Sequence, residues 1–232
     1  MKTIDLLITT WLFPPIRFVF LLRTLRALDV NLRHTGYELS TIVSAENEST
    51  SAVCRQTLTE FCNDRGARLI WHKGEPNLGS HLNFAFGECP SDLRFYVQDD
   101  WLLKVPIDIG PGADLLESDA DIAMVRYYAS HCRFADMDDQ WSTTVYGTPS
   151  PYGDNPLLAH RRWLDKVGEF KIGNTPGHHE VKMGTQLKNS GLKVAVPREL
   201  AEFAKTQFKT KGNLYFEHIG DTSAFRTKRG GE

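Results

Sequence analysis

Four short and nearly continuous apolar runs set the tightest limit on how this chain can fold: IDLLIT (4–9), ELSTIVS (38–44), ARLIW (67–71) and LRFYV (93–97). Each has the length of one strand, and none shows the strict alternation of a strand with one wet face. Segments at helical spacing lie between them. Phe18, Leu21, Leu22, Leu25 and Leu28 mark the first, opened by Pro14-Pro15. Cys54, Leu58, Phe61 and Cys62 mark the second, which Gly66 stops; Leu82, Ala85 and Phe86 mark a third, after Pro76-Asn77-Leu78-Gly79. Alternating strands and helices, with strands apolar on both faces, predict an α/β fold: a mostly parallel, Rossmann-like central sheet with helices on both faces. Further strands are expected at Ile122–Tyr128 and Leu192–Val196, and helices at Arg161–Val167 and Glu180–Asn189. The stretch 130–154, rich in Asp, Gly, Pro and aromatics, reads as loop, and the tail from Lys205 as a basic segment.

A chain of 232 residues, 41% hydrophobic and 24% charged, can bury one sizeable core without a disulfide or metal staple. A formal net charge of -2 gives no support to a nucleic-acid partner. Cys54, Cys62, Cys89 and Cys132 form no CxxC pair, so free thiols in a reducing cytoplasm are expected rather than a zinc site. His178-His179 stand side by side and point apart, which also argues against zinc. The most apolar segment, FVFLL (18–22), is far too short to span a bilayer. The N-terminus, MKTIDLLITT, lacks the pattern of a secretory signal. The arginine-flanked helix from Arg17 to Arg26 leaves peripheral contact with an anionic membrane open, although its apolar face is expected on the sheet.

FYVQDDW (95–101) poses the chemical question, because a buried strand ends on two adjacent carboxylates. In an open α/β sheet, ligands bind beyond the carboxyl ends of the strands. Polar clusters fall at three such ends: Thr9-Thr10, Glu46 to Thr50, and Gln98-Asp99-Asp100. Paired carboxylates there repel each other and lose hydration. Mg²⁺ and Mn²⁺, which take one or two carboxylates plus the phosphates of a nucleotide, would offset both costs. A solvated turn or a helix cap is the plainer explanation of the pair taken alone.

The order of motifs resembles the nucleotide-sugar glycosyltransferases of the GT-A fold, of the family 2 type. TIVSAENEST (41–50) matches their second strand with its acidic end, NLGSHLNFAF (77–86) their Asn-x-Gly helix start, and FYVQDDW their metal motif. LLAHRRWLDKVGEF (157–170) and HHEVKMGTQLKNSGLKVAVP (178–197) match two later stretches, so the resemblance runs from about residue 3 to 220. It implies an inverting transfer of a sugar from a nucleoside-diphosphate donor to a carbohydrate or lipid-linked acceptor hydroxyl, with Mn²⁺ or Mg²⁺ as cofactor. By the same resemblance Asp100 binds the metal, Asp99 helps hold ribose or metal, Glu46 meets the nucleobase, and Glu180 is the general base. Thr9, Thr10, Asn77 and Gly79 are placed by it around the donor. His218, in EHIGDTS (217–223), takes the place of a late third metal ligand. The basic residues around it, Lys209 among them, read as a mobile segment that closes over the diphosphate, against the plainer reading of a solvated tail. The implied division is a nucleotide-binding half at 1–101, an acceptor-binding and catalytic half at 102–204, and a basic segment at 205–232. Three positions depart from the family pattern: Gln98 stands for a first Asp, Glu46 for an Asp, and His179 for the first residue of a Glu-Asp pair. These departures keep a non-catalytic nucleotide-sugar-binding partner subunit open. A sugar nucleotidyltransferase is the other rival, weakened because TTWLFPPIR (9–17) has no glycine for a phosphate-binding loop.

Overall fold

The computed structural model describes residues 1–12, 16–46, 50–74, 77–128, 133–145, 156–170, 178–206 and 214–220, without the side chains of residues 133, 178 and 179. The first half runs β1 (Lys2–Thr10), α1 (Ile16–Asn31), β2 (Leu32–Arg33), β3 (Tyr37–Glu46), α2 (Ala52–Asp64), β4 (Arg68–His72), α3 (Leu78–Gly87) and β5 (Leu93–Gln98). Next come β6 (Trp101–Leu103), β7 (Ile107–Asp108), α4 (Gly110–Ser118), β8 (Ile122–Arg126), β9 (Arg133–Asp136), β10 (Trp141–Val145) and β11 (Leu157–His160). The chain continues through α5 (Arg162–Val167), α6 (His178–Asn189), β12 (Lys193–Pro197), α7 (Arg198–Thr206) and β13 (Phe216–His218).

One nine-stranded sheet carries the fold, in the order β4-β3-β1-β5-β11-β8-β12-β10-β9. β11 and β10 run against the other strands, so the sheet is mostly parallel. Every residue of β1 from Ile4 to Thr10 is buried, as a strand covered on both faces requires. Its side chains divide between two cores. Ile4, Leu6 and Ile8 pack on the face covered by Leu21 and Leu25 of α1, Leu58 of α2, Leu116 of α4 and Leu200 of α7. Leu7 packs on the other face, under Leu82 and Phe86 of α3, Trp163 of α5 and Met183 of α6. Burying each such side chain contributes roughly 1.5–3 kcal/mol. Two short ladders stand apart from the sheet, β13 on β6 and β2 on β7.

The stretch expected to be loop at 130–154 instead contributes β9 and β10, an antiparallel pair with Ser142 opposite Asp136. Asp138 makes the turn: its Oδ1 accepts from the backbone N–H of Gln140 and of Trp141, both at 2.7 Å. These strands are four and five residues long and carry polar residues, and they are held by pairing with each other, by pairing of β10 along β12 (Trp141 opposite Pro197) and by Trp141 in the core. β11 was likewise unforeseen as a strand, as was α7. In the segment expected to be a basic tail, β13 forms a strand. Cys62 and Cys89 are buried free thiols and Cys54 is half-buried, while Cys132 lies outside the described residues. Among the described residues no helix is long and apolar enough to cross a membrane.

Candidate functional site

β1 and β5 lie side by side in register, with Thr9 opposite Gln98, so their polar ends emerge together at one edge of the sheet. A cavity of about 160 Å³ opens there, lined by Thr9, Thr10, Trp11, Arg17, Leu78, Gln98 and Asp100. The two aspartates after β5 part company at this point. Asp99 is fully buried and turned into the protein. Its carboxylate accepts from Thr10 Oγ1 at 2.6 Å and from Arg17 Nε at 3.2 Å, and also from Arg17 Nη2. Its carbonyl oxygen accepts from Thr24 Oγ1 at 2.8 Å, and its N–H donates to the carbonyl of Thr9 at 3.1 Å. Asp99 thus ties β1, α1 and β5 together.

Asp100 faces the cavity. Its Oδ2 accepts from Arg17 Nη1 at 2.6 Å and lies 3.2 Å from His218 Nε2. Its Oδ1 is buried and has no hydrogen-bond partner among the described residues. Burial pushes the Asp99 carboxyl up, to about 7, against the pull of Arg17. Burial works on Asp100 too, but the hydrogen bond with His218 and the charge of Arg17 outweigh it and hold Asp100 below the ordinary carboxylate range. The firmly ionised member of the pair is therefore the one that meets the cavity.

β13 brings His218 there from the far end of the sequence. It pairs antiparallel with β6, setting His218 opposite Trp101, and the Ile219 N–H donates to the carbonyl of Asp100 at 2.8 Å. The His218 ring stacks on Trp101 at 4.8 Å between centroids, and Tyr128 meets the same indole edge-on at 4.8 Å. Gly220 allows the approach: a Cβ there would lie 2.4 Å from Asp100 Oδ2 and 3.1 Å from its Cβ.

Asn77 and Gly79 sit beside the cavity through Leu78. Asn77 caps α3, its Oδ1 accepting from the N–H of Gly79 at 2.9 Å and of Ser80 at 3.4 Å. Glu46 sits elsewhere, fully buried at the end of β3 with His72 Nδ1 3.1 Å from its Oε2. His81 Nδ1 lies 3.8 Å from the same oxygen, and the two imidazoles stack at 5.1 Å. His81 Nε2 shares a 2.8 Å hydrogen bond with Ser44, and Trp11 packs edge-on against the ring, so this cluster backs the cavity wall. Burial and the neighbouring His72 push His81 down to about 3, which keeps it neutral.

Glu180 occupies the first turn of α6. That 12-residue helix spans about 18 Å, is packed on the sheet by Met183 and Leu187, and turns directly into β12. Because α6 runs into the start of β12, its first turn is its end farther from that start; Glu180 is not among the residues that line the cavity beside Asp100. Lys209 and the side chain of His179 lie outside the described residues. Arg17 and Gly220 were missed as site residues; the sequence marked Arg17 only as a charge flanking an apolar helix.

A larger recess, about 250 Å³, is lined by Arg94, Arg161, Asp165 and Glu169 among others. It opens at the opposite edge, where β5 begins, away from the carboxyl ends at which such sheets take ligands.

Among the described residues no group of three or more His, Cys, Asp or Glu side chains is arranged to hold a metal alone. A divalent ion shared with a diphosphate needs fewer protein ligands. Asp100 and His218 fit that case, because Asp100 offers a buried carboxylate oxygen with no partner and His218 touches the same carboxylate.

The sheet order and the helices on both faces make this a GT-A-like α/β fold. No protein-family model matches the chain, and no curated protein matches it significantly. Solved structures do. GalNAc-T7 with UDP, GalNAc and Mn²⁺ superposes with a TM-score of 0.63 at 9% identity, over 85% of this chain and 42% of that one. S. aureus TarS gives 0.55 at 9% identity, over 84% and 35%. A CMP:2-keto-3-deoxy-manno-octonic acid synthetase complexed with CTP gives 0.56 at 14% identity, over 84% and 89%. The chain thus spans less than half the length of GalNAc-T7 and of TarS, and nearly all of the synthetase.

Proposed function

We propose that this chain transfers a sugar from a nucleoside-diphosphate donor to an acceptor hydroxyl. One observation carries the proposal: Asp100 presents an ionised carboxylate, with one oxygen unpartnered, to a cavity at the carboxyl ends of β1 and β5. On this fold that edge is where a nucleotide belongs. Residues 1–101 would then bind the donor, with Thr9, Thr10, Trp11 and Leu78 against it. Residues 102–204 would face a carbohydrate or lipid-linked acceptor, with the β9–β10 hairpin on that side. Lys209 would close on the diphosphate from the basic segment.

Asp100 and His218 are the residues that would hold Mn²⁺ or Mg²⁺. When bound, such an ion supplies Lewis-acid stabilisation of the negative charge that gathers on the leaving diphosphate. The chain contributes its own part. Asp99, gripped by Arg17 and Thr10, fixes the turn that carries Asp100. Trp101 holds the His218 ring in place by stacking. Glu180, in the first turn of α6 where the helix dipole favours a carboxylate, takes the proton from the acceptor hydroxyl as general base. A base opposite the leaving group permits in-line displacement, which inverts the anomeric carbon.

A thermal-shift screen of UDP-, GDP-, CDP- and TDP-sugars, each with and without Mn²⁺, tests the reading, because a ligand bound only by the folded state raises the melting temperature. One donor should shift it strongly and only with metal. No shift from any sugar nucleotide would overturn the proposal. Glu180→Gln should keep that shift and lose transfer; undiminished turnover would remove Glu180 from the role of base.

A second reading, a sugar nucleotidyltransferase, has the nearly full-length superposition on the CTP-bound synthetase in its favour. The two part on substrate: that enzyme would be stabilised by a nucleoside triphosphate and release pyrophosphate. The glycosyltransferase is stabilised by a sugar nucleotide and releases a nucleoside diphosphate.

A further inference from the structure

Arg17, marked in the sequence only as a charge flanking an apolar helix, stands against the carboxylate pair. Its guanidinium forks over both aspartates, holding Asp99 through Nε and Nη2 and Asp100 through Nη1. The side chain also lines the cavity and is 22% exposed. A guanidinium has five N–H donors, and three of Arg17's are engaged here. Among the described residues the other two, one on each Nη, have no partner and are available to a ligand in the cavity. Arginine is suited to this double duty, since its fork can keep one carboxylate while offering an edge to phosphate oxygens.

We propose that Arg17 is the resident counter-cation of the site, so that a free divalent ion takes Asp100 only weakly until a diphosphate engages the open edge of Arg17 and lets Asp100 leave it. The inference rests on the donor reading above and adds an order of binding. With the guanidinium bound to both carboxylates, little net negative charge is left to hold a dication whose nearest neighbour is another cation. A diphosphate changes both terms. It adds negative charge, and its oxygens accept from Arg17. The hold on Asp99 through Nε and Nη2 stays, so the planar guanidinium keeps its place, and the Asp100 side chain turns from Nη1 toward the ion. Metal and nucleoside diphosphate therefore enter as one unit, and Arg17 positions the pair.

Uptake of Mn²⁺, read from the loss of the free-ion electron paramagnetic resonance signal, tests this on the full chain. It is measured for wild type, Arg17→Gln and Arg17→Lys, alone and with UDP, GDP, CDP or TDP. Wild type is expected to bind Mn²⁺ weakly alone, and at least tenfold more tightly with the nucleotide it recognises. Arg17→Gln should bind Mn²⁺ alone at least tenfold more tightly than wild type, yet bind nucleotide less well. Arg17→Lys, which keeps the charge without the fork, should fall between. A merely structural arginine would lower both affinities or neither. Wild type taking up Mn²⁺ alone as tightly as Arg17→Gln would overturn the proposal, and so would an absence of uptake by folded Arg17→Gln. If Arg17→Gln fails to fold, wild type still decides: equal Mn²⁺ affinity with and without a bound nucleotide contradicts it. Failure of the donor reading looks different, with no nucleotide shifting the melting temperature under any condition.

Discussion

Asp99 and Asp100 are chemically identical neighbours with opposite assignments, and the difference lies in what surrounds each. Asp99 is wholly inside, with protein donors on both carboxylate oxygens. Asp99→Asn would turn an amide N–H₂ toward donors and remove one half of a buried pair, costing about 3–5 kcal/mol of stability. Asp100→Asn should cost less, since Oδ1 has no partner to lose, but should abolish metal-dependent nucleotide binding. Urea unfolding and a nucleotide titration on both variants check the contrast; a stable Asp99→Asn protein would contradict it. His81 supplies a pH test. It is neutral in the fold, with a pKa of about 3, and takes a proton near pH 6.5 when unfolded. The unfolded chain therefore binds the extra proton, and stability falls as pH drops from about 6.5 toward 3, where the loss saturates. Unfolding free energies at several pH values in that window should show a shallower slope for His81→Gln than for wild type. At this scale the carboxylate pair was legible because strand and charges adjoin in sequence. Arg17 was not, since it lies 82 residues from Asp99 and nothing local announces the contact. Glu46 was legible as a strand-end acid, but its burial against His72 and His81 depends on β4 and α3.

The elements of the first half announced themselves through composition. β1 and β5 are buried on both faces, and β3 over its second half, so each reads as a continuous run; β4, at the sheet edge, is buried mainly at Ile70 and His72. α3 carried its own start signal in Asn77. Asn77→Ala should cost about 1 kcal/mol through loss of the cap, and should loosen Leu78 on the cavity wall. A melting curve and a nucleotide titration read the two effects separately; no change in either would show that the cap is dispensable. Phe86, fully buried on the opposite face of α3 from solvent and packed among Tyr96, Trp163 and Phe170, should cost about 3–5 kcal/mol when cut to alanine. The second half was harder to read for a physical reason. β9, β10 and β11 are short, partly polar and antiparallel insertions, and what makes them strands is the neighbour they pair with. β13 is three residues long and exists because β6 lies opposite it.

For the molecule as a whole, the sheet gathers distant pieces of chain at one edge: the end of β1, the start of α1, the turn after β5, and β13 from the far end of the sequence. Only the last of these had no place in the strand-and-helix alternation. Gly220 is the joint that admits it, and Gly220→Ala, which would drive a methyl group into Asp100, should separate the C-terminal strand from the site. The most direct measurement is a crystal structure with Mn²⁺ and the nucleoside diphosphate chosen by thermal shift, with manganese located by anomalous scattering. The predicted density puts the ion on Asp100 and His218, with the diphosphate between it and Arg17. Nucleotide seated in the recess beside Arg94, with Asp100 still bound only to Arg17 and His218, would contradict the account.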